Sequence, residues 1–263
     1  MEIKSFGLNV NNNEHSEEIA GKLTQPLLAK GFKHDQEDPD LWIAIGGDGS
    51  FLRMVREANF SEKTHYVGVH TGTLGFLQEV SPDNLEEFVD KLVNKKYRIV
   101  TKDLACSVIE KDDEKIQLNS FNEIVLHNRS LKALGITVYV DNELLETFAG
   151  DGLLVATSVG SSAYNMSFQG ALVDQQLATM QLTPIAPLTN KHYHNLSSSL
   201  ILPDTATITL IPSFPELIIT TDGENHEYSD VRKITITMKK EALSILTFDQ
   251  QSFISKIREK LLI

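Results

Sequence analysis

The pattern of apolar and polar positions along the chain changes once, near Arg98. Before that point, short apolar runs alternate with longer segments whose apolar residues recur at helical spacing. Strands are predicted at 3–10, 41–45 and 66–69, and helices at 15–30, 51–58 and 83–97. The last helix follows Ser81-Pro82 and places Leu85, Phe88, Val89 and Leu92 on one face. Such alternation is typical of a parallel sheet covered by helices, in a Rossmann-like α/β domain.

After Arg98 the apolar runs are short and rich in β-branched residues, with turn residues between them, which predicts a β-rich second domain. Its strands are expected at 105–110, 121–127, 135–140, 153–156, 206–211, 217–220 and 233–238. One helix is expected at 163–182, and a short amphipathic helix at 252–261. The predicted domains are therefore 1–98 and 99–247, with the tail 248–263 a candidate to fold back onto the first.

The strand predicted at 41–45 leads directly into Gly46-Gly47-Asp48-Gly49-Ser50, and a helix follows at once. Glycines let the backbone turn sharply and let a ligand come close, and a helix N-terminus suits phosphate. The carboxylate of Asp48 suits contact with a metal-bound phosphate or acceptance of a hydroxyl proton. The motif therefore indicates phosphoryl transfer to an alcohol, although a tight βα connection without function would carry similar glycines. Arg53 and Arg56 are either phosphate contacts or solvated helix residues.

Neither of two common nucleotide-binding patterns, GxxxxGK[ST] and GxGxxG, occurs in the sequence. If the chain handles nucleotides, it therefore does so through a different loop.

Polar residues of the second domain offer further candidate contacts. Gly150-Asp151-Gly152 precedes a strand that leads into the hydroxyl-rich stretch 157–167, which suits either a base and ribose or an N-cap. Asn122-Glu123 lies inside the predicted strand 121–127, where polar side chains need partners. A ligand at the strand end and an edge or bulge position explain this pair equally well. His192 and His194 share a strand face, but no third metal ligand accompanies them at a suitable spacing.

Charge and composition narrow the classes of function. The net charge of −12 argues against nucleic acid as a partner, because proteins that bind it usually present a basic face. The sequence shows no apolar stretch long enough to span a bilayer and no signal-peptide pattern, and its one cysteine, Cys106, cannot form an internal disulfide. These features predict a cytoplasmic protein without a membrane partner. An acidic chain that binds polyanionic nucleotides needs helix N-termini, local cations and a divalent metal ion.

Together, the motifs resemble those of bacterial NAD kinases, the ATP/polyphosphate-NAD kinase family. The resemblance covers nearly the whole chain, in order, and rests on Gly46-Gly47-Asp48-Gly49-Ser50, the segment 70–77, Asn122-Glu123, Gly150-Asp151-Gly152 with 157–165, and Thr221-Asp222-Gly223. The first motif alone also occurs in diacylglycerol and sphingosine kinases and in phosphofructokinases, so the combination carries the resemblance. Two positions depart from the family pattern: Ala149, where a basic residue is usual, and Glu224, where Gln is frequent.

The resemblance implies an N-terminal α/β domain and a C-terminal β-sandwich, assembled as a homodimer or homotetramer. It implies transfer of the γ-phosphate of ATP (or of a phosphate from polyphosphate), with Mg²⁺ or another divalent cation, to the adenosine 2′-hydroxyl of NAD. Asp48 would be the catalytic base, within a phosphate loop of Gly46, Gly47, Asp48 and Gly49. The NAD-binding residues implied are Asp48, Gly49, Arg53, Asn122, Glu123, Asp151, Ser158, Ser162, Ala163, Tyr164, Asn165, Ser167, Ala186 and Glu224.

The residues alone leave two other functions open. A lipid or sugar kinase would share the glycine motif, but a lipid kinase needs an apolar acceptor pocket, and the sequence shows no extra apolar segment for one. A non-catalytic NAD(H)-binding sensor would have no need of Asp48 in the phosphate turn.

Overall fold

The computed structural model describes residues 2–72, 75–129, 132–189, 194–248 and 252–262. The chain divides into two compact units, 1–102 together with 241–263, and 103–240. Two long strands, Arg98–Glu110 and Lys233–Thr247, each carry the chain from one unit into the other. The sequence predicts boundaries after residues 98 and 247, whereas these units divide within the two strands, after residues 102 and 240.

The first unit is built on a parallel sheet. Its elements before Arg98 are strands β1 (Ser5–Val10), β2 (Lys33–His34), β3 (Leu41–Gly46) and β4 (His65–His70), and helices α1 (Glu14–Ala29), α2 (Asp48–Glu57) and α3 (Leu85–Val93). The strands pair in the order β2-β1-β3-β4, all in parallel. The end of strand Lys233–Thr247 adds to β4, also in parallel. The α/β prediction is therefore confirmed.

Helices α1 and α3 cover this sheet with the apolar faces that their spacing predicts. The buried residues of α3 are Leu85, Phe88, Val89 and Leu92. They share one core with Leu23 and Leu27 of α1 and with Ile43 and Val67 of the sheet. The helix is shorter than the predicted 83–97, because Pro82–Asn84 form a 3₁₀ turn and Lys95 has a positive φ of 53°. A left-handed residue ends a helix.

The second unit is a β-sandwich. Its strands are β5 (Arg98–Glu110), β6 (Lys115–Ser120), β7 (Glu123–Asn128), β8 (Leu134–Val140), β9 (Glu143–Gly150), β10 (Gly152–Thr157), β11 (Thr179–Ile185), β12 (Leu200–Pro203), β13 (Ile208–Pro212), β14 (Leu217–Thr221), β15 (Glu224–Tyr228) and β16 (Lys233–Thr247), which begins here. One sheet has the antiparallel order β12-β11-β10-β7-β14-β15, and the other contains β16-β13-β8-β9 with β5 and β6. Residues from both sheets, such as Leu126 and Leu210, form one core, which confirms the predicted architecture.

The prediction of a helix at 163–182 is wrong. Only α4 (Tyr164–Ser167) is helical there, and the end of the range belongs to strand β11. The physical reason is the buried side chain of Gln181. Its Oε1 accepts from the N–H of Ala171 at 2.7 Å and its Nε2 donates to the carbonyl of Ala171 at 3.1 Å, so it binds an extended segment as a neighbouring strand would. A pattern of Met, Gln and Ala does not reveal such a contact.

The strand predicted at 121–127 begins later, at Glu123, so Asn122 lies just before it. Strand β7 is internal to its sheet, between β10 and β14. Asn122-Glu123 therefore lies at the start of an internal strand and not on a sheet edge, while the ligand contact expected there stays a prediction.

The close packing of Gly160 against the backbone of Asn122 can be tested by substitution. A Cβ at position 160 would lie 2.7 Å from the Cα of Asn122 and closer still to its carbonyl, and backbone cannot move aside as a flexible side chain can. We expect Gly160→Ala to lower the free energy of unfolding by about 1–3 kcal/mol, measured by urea titration.

Gly21→Ala is the control, because Gly21 lies inside α1 and a Cβ there has no neighbour within 4 Å. It should raise the free energy of unfolding by about 0.5–1 kcal/mol, through helix propensity. Equal stability of Gly160→Ala and the unsubstituted protein would contradict the packing described for the turn at 160–162.

Candidate active site

The loop between β3 and α2 is shaped by its glycines. Gly46 has a φ of 154°, and a Cβ there would collide with the side chain of Ser50. Helix α2 begins at Asp48 with Gly47 as N-cap, and no side chain caps it. Cβ atoms at Gly47 and Gly49 would meet nothing within 4 Å. The space beside these two glycines is therefore open, at the end of α2 where the helix dipole favours an anion.

The carboxylate of Asp48 is held by the segment that follows β4. The backbone N–H of Phe76 donates to Oδ2 at 2.9 Å, and the N–H of Leu77 donates to Oδ1 at 3.0 Å. The ammonium of Lys260 lies 3.7 Å from Oδ2. The side chain of Asp48 is 35% exposed, so part of the carboxylate still faces solvent. Asp48 is thus oriented, and one side of it can reach a ligand.

Gln78 lies beside this carboxylate. A Cβ at Gly75 would collide with the side chains of both Asp48 and Gln78, so glycine is required there for the two to come together. Gln78 is 1% exposed, and within the described residues neither atom of its amide has a hydrogen-bond partner. A buried amide without partners is costly, and here both its NH₂ group and its carbonyl oxygen stay unpaired next to Asp48.

Arg53 is engaged with the end of β1. Its Nε and Nη2 donate to Oδ1 of Asn9 at 3.2 and 3.1 Å, and Nη2 also donates to the carbonyl of Val10 at 3.0 Å. The amide of Asn9 in turn donates to Glu57. These contacts fix the guanidinium close to the loop, while its predicted contact with phosphate stays a prediction.

In the second unit, the carboxylate of Asp222 organises the Asn122-Glu123 pair. It accepts from the hydroxyl of Ser120 at 2.6 Å and from the backbone N–H groups of Phe121 and Asn122, each at 2.7 Å. The N–H of Glu123 lies 3.4 Å away. Asp222 therefore takes the role of a neighbouring strand for these residues, which explains why β7 starts only at Glu123.

The pKa of Glu123 is strongly raised by this environment. Burial raises its pKa to about 8, the charge of Asp222 adds to the increase, and a hydrogen bond from the N–H of Tyr164 opposes it. Its Oε2 has no hydrogen-bond partner among the described residues. Burial also raises the pKa of Asp222, against the effect of its four donors. At neutral pH Glu123 can therefore act as a hydroxyl donor as well as an acceptor.

Three of the predicted NAD-binding residues, Glu123, Asp151 and Tyr164, line one open cavity of about 830 Å³ in the second unit. The cavity is otherwise lined by residues that include Phe168, Ile185 and Lys132. Tyr164 is 46% exposed, and its ring meets that of Phe168 edge-on, with centroids 4.8 Å apart. An apolar wall with a few polar groups is typical of a cofactor pocket.

The other NAD-binding residues predicted in this unit do not line that cavity. Asn165 is fully buried, with its amide engaged by Ser161 and Thr183. Ser158, Ser162 and Ala163 are partly exposed, Ser167, Ala186 and Glu224 are exposed, and Asn122 is buried. Their contacts with NAD stay predictions.

Ala149 is 7% exposed within β9, and its backbone bonds to the amide of Asn195. Because Ala149 is buried, an arginine at this position would need space that the packing does not leave, which is a reason for the small residue.

Sequence reasoning missed the roles of Lys260, Gln78 and Asp222. Asp222 sits in the motif Thr221-Asp222-Gly223, but the contacts of all three join residues far apart in sequence, and no periodicity signals them. Of the predicted histidine pair, His192 lies outside the described residues. In the part of the chain that the structure describes, no three His, Cys, Asp or Glu side chains gather as a metal site.

Comparison with known protein families now identifies the chain. Residues 6–97 match the family model "ATP-NAD kinase N-terminal domain", and residues 121–250 match "ATP-NAD kinase C-terminal domain". The chain belongs to the ATP-NAD kinase family. The NAD kinase of Finegoldia magna is 34% identical over 269 residues, covering 98% of both chains. NAD kinase 1 of Oceanobacillus iheyensis is 30% identical, covering 97% of both.

Two solved structures share the fold. Yeast NADH kinase complexed with NADH superposes with a TM-score of 0.84 at 19% identity, over 99% of this chain and 88% of its own. An NAD kinase from Archaeoglobus fulgidus in complex with ATP has a TM-score of 0.76 at 21% identity, over 97% of this chain and 98% of its own. Among the described residues, no helix is long and apolar enough to cross a membrane.

The perturbed carboxyl group of Glu123 predicts a pH dependence of stability. Its pKa is about 8 in the folded chain and close to the ordinary 4.5 when unfolded. Between these values the folded state keeps a proton that the unfolded state releases, so stability falls as pH rises through that window. We expect Glu123→Gln to remove this loss. The free energy of unfolding should rise by about 1–3 kcal/mol at pH 8 and change little at pH 5.

Thermal melts at pH 5, 6.5 and 8 measure this effect. Glu227→Gln is the control, because Glu227 is an exposed carboxylate of the same unit that pairs with Arg129 at the surface. Melting temperatures of Glu123→Gln that run parallel to those of the unsubstituted protein at all three pH values would contradict the raised pKa.

Proposed function

We propose that this protein transfers the γ-phosphate of ATP to the 2′-hydroxyl of the adenosine ribose of NAD, releasing NADP and ADP. The observation that carries the proposal is the oriented carboxylate of Asp48 at the start of α2, in a chain of the ATP-NAD kinase family. Membership in this family leaves the lipid-kinase and sugar-kinase alternatives without support.

Asp48 would act on the acceptor hydroxyl. A ribose hydroxyl is a weak nucleophile, and a carboxylate that accepts its proton accelerates such a reaction by about 10²–10⁴-fold. Because Phe76 and Leu77 each bind one oxygen of Asp48, the carboxylate cannot rotate freely. A fixed acceptor also fixes the direction of the hydroxyl, which in-line transfer requires.

The N-terminus of α2 would receive phosphate groups. Gly46 permits the turn, and the open space at Gly47 and Gly49 lets an anion approach the backbone. The helix dipole and free N–H groups stabilise negative charge there without a basic side chain, which suits a chain of net charge −12.

Mg²⁺ or another divalent cation would arrive with ATP as part of the donor. The described residues form no cluster of three metal-ligating side chains, so the proposal assigns no protein ligands to it. Bound to the phosphates, the cation would neutralise charge on the transferring group.

The cavity at Glu123, Asp151 and Tyr164 would bind part of NAD. The exposed ring of Tyr164 offers a stacking surface for a base, and the protonated carboxyl group of Glu123 offers a hydroxyl group for a ribose. Asn122, Ser158, Ser162, Ala163, Asn165, Ser167, Ala186 and Glu224 complete the proposed NAD set, with Asp48, Gly49 and Arg53 in the first unit. Polyphosphate as a donor, the homodimer or homotetramer, and the cytoplasmic location stay predictions.

The test is formation of NADP from NAD and Mg-ATP, detected with an NADP-specific dehydrogenase. We expect Asp48→Asn to lower kcat by about 10²-fold or more, because the amide cannot accept the proton. It would also turn an NH₂ group towards the N–H of either Phe76 or Leu77. Asp90→Asn is the control, because Asp90 is an exposed carboxylate of the same unit.

Absence of NADP with the unsubstituted protein would overturn the proposed function and favour a non-catalytic sensor. An Asp48→Asn variant that keeps more than about a third of the original kcat would instead remove Asp48 from the reaction.

A further inference from the structure

The C-terminal segment, defined as residues 252–262, lies against the candidate active site of the first unit. It consists of α5 (Phe253–Ile257) and one π-helical turn, Arg258–Leu262, and the hydroxyl of Ser252 caps its start by accepting from the N–H of Ser255 at 3.1 Å. Lys256 and Lys260 are four residues apart, so they project from the same face of this helical segment.

Lys256 attaches the C-terminal segment to the residues that bind Asp48. Its ammonium lies 3.1 Å from Oε1 of Glu79 and donates to the carbonyl of Phe76 at 3.2 Å. Both partners of this ion pair are largely buried, with side chains 12% and 14% exposed. Both backbone polar groups of Phe76 are therefore engaged, because its N–H donates to Asp48 and its carbonyl accepts from Lys256.

Lys260 reaches Asp48 itself. Its ammonium lies 3.7 Å from Oδ2 and 4.4 Å from the centroid of the Phe76 ring, and its side chain is 17% exposed. Burial lowers the pKa of Lys260, the charge of Asp48 raises it, and the charge of Lys256 lowers it. A lysine removed from water in this way needs a compensating anion, and among the groups that affect it Asp48 is the one that supplies this charge.

We propose that the C-terminal segment brings Lys260 to the catalytic centre, where Lys260 is a positioning residue for Asp48. This inference rests on the proposed function. Two backbone N–H groups bind the carboxylate and one ammonium lies 3.7 Å from Oδ2, while the exposed part of the carboxylate would meet the acceptor hydroxyl. Without Lys260, the carboxylate keeps its two backbone donors but loses the cation that holds Oδ2.

The test compares kcat and KM of Lys260→Met, Lys260→Arg and Arg258→Met. Met keeps the length and apolar contact of the lysine stem but not the charge, so we expect a loss of roughly 10- to 100-fold in kcat, with KM for NAD within about two-fold. Arg restores a cation and should recover kcat to within about five-fold. Arg258 is an exposed cation of the same segment, so Arg258→Met should keep the kcat and KM of the unsubstituted protein.

Acylation by acetic anhydride, followed by mass spectrometry, gives a readout that does not depend on activity. Only the neutral amine reacts, and removal of the Asp48 charge should lower the pKa of Lys260 further. In Asp48→Asn, Lys260 should therefore be acylated several-fold faster at pH 8, while the rate at Lys256 changes little. An equal increase at both lysines would indicate general opening of the segment and would contradict a specific contact.

The outcomes separate this inference from the proposed function. If the unsubstituted protein forms no NADP, the function fails, and the acylation rates still decide whether Lys260 pairs with Asp48. If NADP forms but Lys260→Met keeps more than half of the original kcat, the positioning role is wrong. Equal losses in Lys260→Met and Lys260→Arg would show that the packing of the lysine matters and not its charge, which also overturns the inference.

Discussion

The carboxylate of Asp48 joins three parts of the first unit that are far apart in sequence. It lies at the start of α2, accepts the N–H groups of Phe76 and Leu77, and pairs with Lys260 of the C-terminal segment. Two glycines make this convergence sterically possible, because a side chain at Gly46 would collide with Ser50 and one at Gly75 would collide with Asp48 itself. A single charged group thus determines the arrangement of the loop, the segment after β4 and the C-terminus.

The second unit solves a similar problem with Asp222. Phe121 and Asn122 lie between strands β6 and β7, and one carboxylate accepts hydrogen bonds from their N–H groups and from the hydroxyl of Ser120. The arrangement places a second acid, Glu123, close to Asp222 in a buried position, and its pKa rises to about 8. In both units, therefore, an aspartate that binds backbone N–H groups fixes the candidate site residues next to it.

The sequence predicted the architecture from local patterns and missed contacts that are not local. Alternating apolar runs were sufficient for the parallel sheet, and helical spacing was sufficient for the buried face of α3. The helix prediction for 163–182 failed because a buried glutamine, Gln181, binds an extended segment in a stretch whose composition favours a helix. Within the site, Gly46 to Gly49 and Asp48 were visible as a motif after a strand, whereas the pairing of Lys260 with Asp48 joins residues far apart in the sequence.

Hydrogen exchange at the segment 75–79 tests most directly the claim that Asp48 organises the site. Amide exchange followed by mass spectrometry would be compared between the unsubstituted protein, Asp48→Ala and the surface variant Asp90→Ala. We expect Asp48→Ala to speed exchange at 75–79 and within 252–262, while β3 and the second unit remain as protected as before. Unchanged protection of both segments in Asp48→Ala would contradict the claim, because the carboxylate would then not be what holds them in place.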